Sequence, residues 1–167
     1  TIVDAAGLDA IARDAGLPSH RTSELVERYA REVEHLPGNA DELALDRTLA
    51  RAAVRIAVAR HCGSVDTVYT VNGPAAVQQG KDLSALKTVI GTGGALAHGP
   101  DPRAVLRMAL ADPAAPQSLR PRAPRLLVDH DYLLYACGLL GAVEPEAALE
   151  LALKHLKEAP NERTLVA

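Results

Sequence analysis

Apolar positions in the first part of the chain recur at helical spacing. Ile2, Val3, Ala6, Ala10 and Ile11 form one stripe, and Gly-Leu-Pro at 16–18 ends it. Thr22 or Ser23 is placed to cap a second helix, ELVERYAREVEHL, in which Leu25, Tyr29 and Val33 share a face. Pro-Gly-Asn at 37–39 is its expected stop. The longest helical pattern follows, ADELALDRTLARAAVRIAVARHCG. It turns Leu45, Leu49, Ala53, Ile56 and Val58 inward and sends Arg47, Arg51, Arg55 and Arg60 to solvent. Gly63 suits a helix C′ position.

The period then shortens to two. In VDTVYTV, Val65, Thr67, Tyr69 and Val71 alternate, and Asn72-Gly73 before PAAVQQG signals a hairpin. Pro74 directs this pair to a sheet edge. LKTVIG reads as a short continuous strand, as in a parallel sheet covered on both faces. GGALAHG suits one helical turn. DPRAVLRMALAD suits a helix capped by Asp101 with Pro102 at its first position. Residues 112–124 carry four of the eleven prolines and predict an ordered, irregular connection. RLLVD predicts a second short strand, and Asp129 or Asp131 a cap for YLLYACGLLGAV. EPEAALELALKHLKEA predicts the last helix, with Glu early and Lys late as the helix dipole favours. Helices first, then a hairpin and strand–helix units, define an α/β protein.

Composition narrows the function. The 167 residues are 48% hydrophobic, with four Tyr and neither Phe nor Trp, so packing must rest on Ala, Leu and Val. A net charge of −3 without a basic run argues against nucleic acid as a partner. No apolar run approaches a membrane span, and a soluble, cytoplasmic protein is expected. Cys62 and Cys137 have no metal-ligand spacing. The chain opens without Met, which suggests a piece of a longer protein.

The stretch VIGTGGALAHG carries the candidate chemistry. A strand running into G-x-G-G and a helix exposes backbone where ligands bind in open α/β sheets. It is neither G-x-G-x-x-G nor a P-loop. A tight packing corner is the competing reading: a ligand site predicts an open crevice at 91–94, and a corner predicts that another helix covers Gly93 and Gly94. His98, His130, Lys81 with Asp82, and His61 with Cys62 are weaker candidates, each accounted for by capping, solvation or a turn.

The linked stretches VIGTGGALAHGPDP and PRLLVDHDYLLYACGLLG resemble the C-terminal part of the MutL/GlmL accessory proteins. These accompany adenosylcobalamin-dependent glutamate (methylaspartate) mutase and are unrelated to the mismatch-repair proteins of the same name. The resemblance covers about residues 45–158. It implies a helix-rich C-terminal lobe of the actin/Hsp70-like, ribonuclease H-like fold. The implied division is a helical subdomain at 1–40, an α/β lobe at 41–158 and a tail at 159–167. It also implies an adenosine motif on Val89, Ile90, Gly91, Thr92, Gly93 and Gly94, of which Gly91, Thr92, Gly93 and Gly94 would bind the cofactor, ATP with Mg²⁺. Asp129, Asp131, Ala136 and Gly138 approximate the second hinge element, whose small residues would let helices cross closely. The two phosphate loops of that superfamily are missing from this sequence, so it would supply only part of a nucleotide site. The whole protein would be a weak ATPase that reactivates or assembles a cobalamin-dependent mutase. Its partners would be mutase subunits and a nucleotide, and a homo-oligomer is compatible with this. The alternative is a ligand-free interaction module docking a mutase subunit. An enzyme acting on a sugar or acid phosphate is weaker, because no catalytic base can be named.

Overall fold

A computed structural model describes residues 1–160. The first apolar stripe is two helices, α1 (Ile2–Ala6) and α2 (Leu8–Ala15). Gly7 parts them at φ 84°, a left-handed conformation that glycine adopts without a steric penalty. α3 (Ser19–Arg31) begins directly after Pro18, three residues before the expected cap. Thr22 is inside that helix, buried, with its hydroxyl donating to the Pro18 carbonyl at 3.1 Å. α3 also ends early. Val33 therefore lies outside it and is 85% exposed, not on the Leu25–Tyr29 face.

The cause is Glu42, in the first turn of α4 (Ala40–His61). Its buried carboxylate accepts from Arg28 Nη1 at 2.8 Å and the Gly38 amide at 2.7 Å, and contacts His35 Nε2 at 3.1 Å. Satisfying a buried carboxylate outweighs continuing a surface helix, so residues 32–39 fold back onto it. Asn39 caps α4 through the Glu42 amide at 3.1 Å.

α4 is shared by two cores. Ile11, Leu25 and Leu45 form the helical one, with Val3, Leu17 and Leu49 against it. Leu96, Val105, Leu106, Leu126, Val128 and Ala159 form the other, and Ala50 and Val54 of α4 pack on it. The helix thus buries two faces, where the periodicity predicted one.

β1 (Ser64–Thr70) and β2 (Gly73–Gln79) form the expected antiparallel hairpin, but Thr70 pairs with Gly73 and the turn is Val71-Asn72, one residue earlier than Asn72-Gly73, so Val71 leaves the strand. It is exposed along most of both faces. A separate mixed sheet has the order β3 (Thr88–Gly91), β4 (Arg125–Asp129), β5 (Leu156–Glu158). β3 runs parallel to β4, and β5 antiparallel to it. The parallel pairing is as expected. The two-sided covering of β3 is not, since it is an edge strand with Ile90 half exposed.

Between the strands lie α5 (Gly94–Ala97), α6 (Pro102–Arg107) and the irregular segment 112–124. That segment is tied down: the Leu119 amide donates to the Gly63 carbonyl and the Ala111 amide to the Pro121 carbonyl. α7 (Leu134–Leu140) and α8 (Pro145–His155) lie between β4 and β5. α8 stops before residues read as helical, because Leu156–Glu158 pair with β4 instead. Ala159, assigned to a tail, is a buried core residue whose amide donates to the Leu126 carbonyl at 2.8 Å. The rest of the expected tail beyond residue 160 lies outside the described residues.

Candidate functional site

The glycine turn leaves β3 at its carboxyl end, where the four candidate residues have different surroundings. Gly91 is buried. A Cβ there would meet Leu106 Cδ2 at 2.6 Å and Leu96 Cδ1 at 2.7 Å, so this glycine lets the strand pack on α5 and α6. Thr92 is exposed, and its hydroxyl donates to Asp129 Oδ2 at 2.9 Å. Gly93 has φ 105° and ψ 156°, a conformation essentially restricted to glycine. Apart from its own chain neighbours and the backbone of α5, neither Gly93 nor Gly94 has an atom within 4 Å of where a Cβ would stand. Among the described residues no helix covers them. The turn combines one packing glycine with two open ones.

Asp129 links this turn to α7. It is buried at the end of β4, opposite the start of β5. Besides the Thr92 hydroxyl it accepts from the amides of Leu133 at 2.8 Å and Leu134 at 3.0 Å. Burial pushes its carboxyl up. The two amides and the hydroxyl outweigh that, and hold it below the ordinary carboxylate range. Of the two expected caps, Asp129 therefore takes the role. Asp131 instead contacts His155 Nδ1 and His130 Nδ1, and these contacts lower its pKa. Gly138, expected where helices cross closely, faces open space. The close approach of α7 to α8 is at Gly141, whose missing Cβ would lie 3.7 Å from Ala148 Cβ.

A cleft of about 450 Å³ opens beside Gly94 and Ala95. Its opposite wall comes from His35, Leu36 and Pro37 in the folded-back loop and from Leu43 and Asp46 of α4. His98 also lines it, while its amide closes the last turn of α5 on the Gly94 carbonyl. Burial raises the Asp46 carboxyl above its ordinary value. Periodicity gave no hint of this wall, because it depends on Glu42 drawing the loop back. A charged residue at the third helical position after Pro-Gly-Asn was the available signal.

The remaining candidates stay apart from the cleft. Asp82 accepts the Ser84 amide at 2.8 Å in a local turn. Cys62 Sγ lies 3.3 Å from Ser118 Oγ. Among the described residues no group of three His, Cys, Asp or Glu side chains is placed to hold a metal ion, and no helix is long and apolar enough to cross a membrane.

Comparison with known proteins agrees with the linked motifs. A family model described as MutL protein matches residues 1–156. The chain is 35% identical over 127 residues to Protein MutL of Clostridium tetanomorphum, an alignment covering 76% of this chain and 28% of that protein. The chain thus spans less than a third of the relative's length. No solved structure matches it. With the family model matched across both the helical front and the glycine-turn sheet, the chain belongs to the MutL protein family.

Proposed function

We propose that this chain supplies the nucleoside-binding part of an ATP-dependent accessory protein, which reactivates or assembles a cobalamin-dependent mutase. The observation that carries the reading is the uncovered backbone of Gly94, which lines a cleft of about 450 Å³; Gly91, Thr92 and Gly93 shape the turn but do not line it. Without a side chain at 94, a flat base or a ribose can lie against the main chain there. Leu36, Pro37 and Leu43 offer apolar surface to a base, and the Asp46 carboxylate is an acceptor for sugar hydroxyls.

The residues fit the nucleoside better than the metal. They form no Mg²⁺ ligand cluster and no phosphate loop, so the phosphates and Mg²⁺ would be held by other parts of the protein. When bound, ATP would supply the free energy of phosphate hydrolysis. This chain's own contribution is binding and transmission. Thr92 and Asp129 join the turn to the start of α7, so a ligand that binds one arrangement of the turn better biases the position of that helix. In this reading the fold is the C-terminal lobe of an actin/Hsp70-like protein.

The test is calorimetry of the full-length protein with ATP and ADP in the presence of Mg²⁺. Gly94→Val is the informative variant, because its position is open and does not require a left-handed backbone. Gly93→Val, the obvious choice from sequence, would add backbone strain to bulk. Gly94→Val should weaken binding by about tenfold or more by displacing one close contact, with an unchanged melting midpoint. Wild-type affinity in this variant overturns the assignment.

A second reading, a ligand-free docking module, draws on one observation. Tyr69 and Val71 of the hairpin and Leu139, Val143, Leu149 and Leu153 of α7–α8 are all more than half exposed. Exposed apolar side chains of this kind, on the hairpin and separately on α7–α8, suit a protein partner. An intact nucleotide affinity in Gly94→Val, with mutase binding lost on Tyr69→Ser, would favour it.

A further inference from the structure

We propose that the pocket lined by Arg55, Arg107 and Arg120 is a second ligand site, for a compact dianion of the phosphate class. It has a volume of about 330 Å³ and lies between α4, the end of α6 and residues 110–113.

Arg120 carries the argument. It is only 9% exposed, and a buried cation needs a counter-charge or a full set of hydrogen bonds. It has neither. Nη1 donates to the Met108 carbonyl at 3.4 Å and Nη2 to the Arg55 carbonyl at 3.3 Å, both long for this bond type. Nε has no partner, and no described carboxylate lies within ion-pair distance of the side chain. The two carbonyls fix the plane of the guanidinium without neutralising it.

Arg55 and Arg107 line the same pocket, are exposed, and pair with no described acid. The one carboxylate in the lining, Asp112, accepts the Ala114 amide at 2.9 Å within its own turn. Three guanidinium groups therefore face one carboxylate. An anion of two charges restores neutrality, and guanidinium forks match phosphate oxygens two at a time. Beyond Arg55 and Met108 a neighbouring cavity adds Arg13 and Arg51 against the single carboxylate of Asp14, which leaves a net positive charge beside the pocket. No residue of this pocket belongs to the cleft at the glycine turn, so the two sites stand or fall separately.

The probe is inorganic pyrophosphate, titrated into the full-length protein at fixed ionic strength and followed by calorimetry. The double variant Arg55→Ala/Arg107→Ala removes two exposed side chains and should keep the fold. Its dissociation constant should rise about tenfold or more, from the loss of two charge-assisted contacts. Arg31→Ala, on an exposed arginine elsewhere, should bind as wild type does. Absence of a binding heat with millimolar pyrophosphate, or equal affinity in the double variant, overturns the proposal.

Discussion

Two buried carboxylates organise the molecule residue by residue. Asp129 gathers a hydroxyl and two amides around the end of β4. Thr92→Val removes one of these bonds and should cost about 1 kcal/mol in urea denaturation, the usual net value of one hydrogen bond. It should also loosen the turn without opening the core. Glu42 gives a pH signature. The Gly38 amide, then His35, hold its carboxyl down to about 2 in the folded protein, against an ordinary 4.5. The stability it contributes is present above the unfolded value, and is lost as pH falls from about 4.5 toward 2. Asp129 and Asp131, also lowered, act on the same acid limb. Glu42→Gln should reduce stability at neutral pH and flatten this limb, as read from urea midpoints between about pH 7 and 2.5. A limb as steep as wild type would show that Glu42 is not its source.

Among the elements, the corner where α4 meets the hairpin is tightly constrained. Gly63 fits there because of close backbone approach rather than the left-handed C′ geometry that sequence suggests. A Cβ at 63 would stand 2.1 Å from the Gln79 carbonyl oxygen and 2.7 Å from Gly80 C. Backbone atoms cannot yield as a side-chain tip can, so Gly63→Ala should cost about 3 kcal/mol, at the upper end of overpacking, measured as a fall in melting temperature. The hairpin, the strand–turn–helix around 88–97, the Asp101 cap and the RLLVD strand were legible because their signals are local: Asn-Gly, three glycines, Asp-Pro and an apolar run. The early end of α3 and the third strand were not. Glu42 lies beyond the helix it truncates, and Leu156–Glu158 continue a helical pattern that only β4 interrupts. Within the site, the glycine turn and the Asp129 cap were legible, but whether the glycines pack or stay open was not: Gly91 packs, and Gly93 and Gly94 are uncovered. The opposite wall at His35–Pro37 and Asp46 was not legible either, because it depends on a contact formed in space.

For the whole molecule, α4 contributes to both cores, and among the described residues no hairpin residue belongs to either. Stability should be distributed accordingly. Amide exchange should be slowest in β4, which is bonded on both sides with Leu126 and Val128 buried, and much faster in the exposed hairpin. Similar protection in both would contradict this division and imply that the hairpin is covered in solution. The sheet order carries one more consequence. Translation runs from the amino end, and the segment bonded to the second side of β4 follows α7 and α8. Until residues 156–158 have left the ribosome, Leu127, Val128 and Asp129 present an open backbone ladder with β3 on its other side. The nascent polypeptide thus carries, for as long as two helices take to synthesise, a templating edge of the kind that recruits other extended chains. Pairing with β5 then hides it.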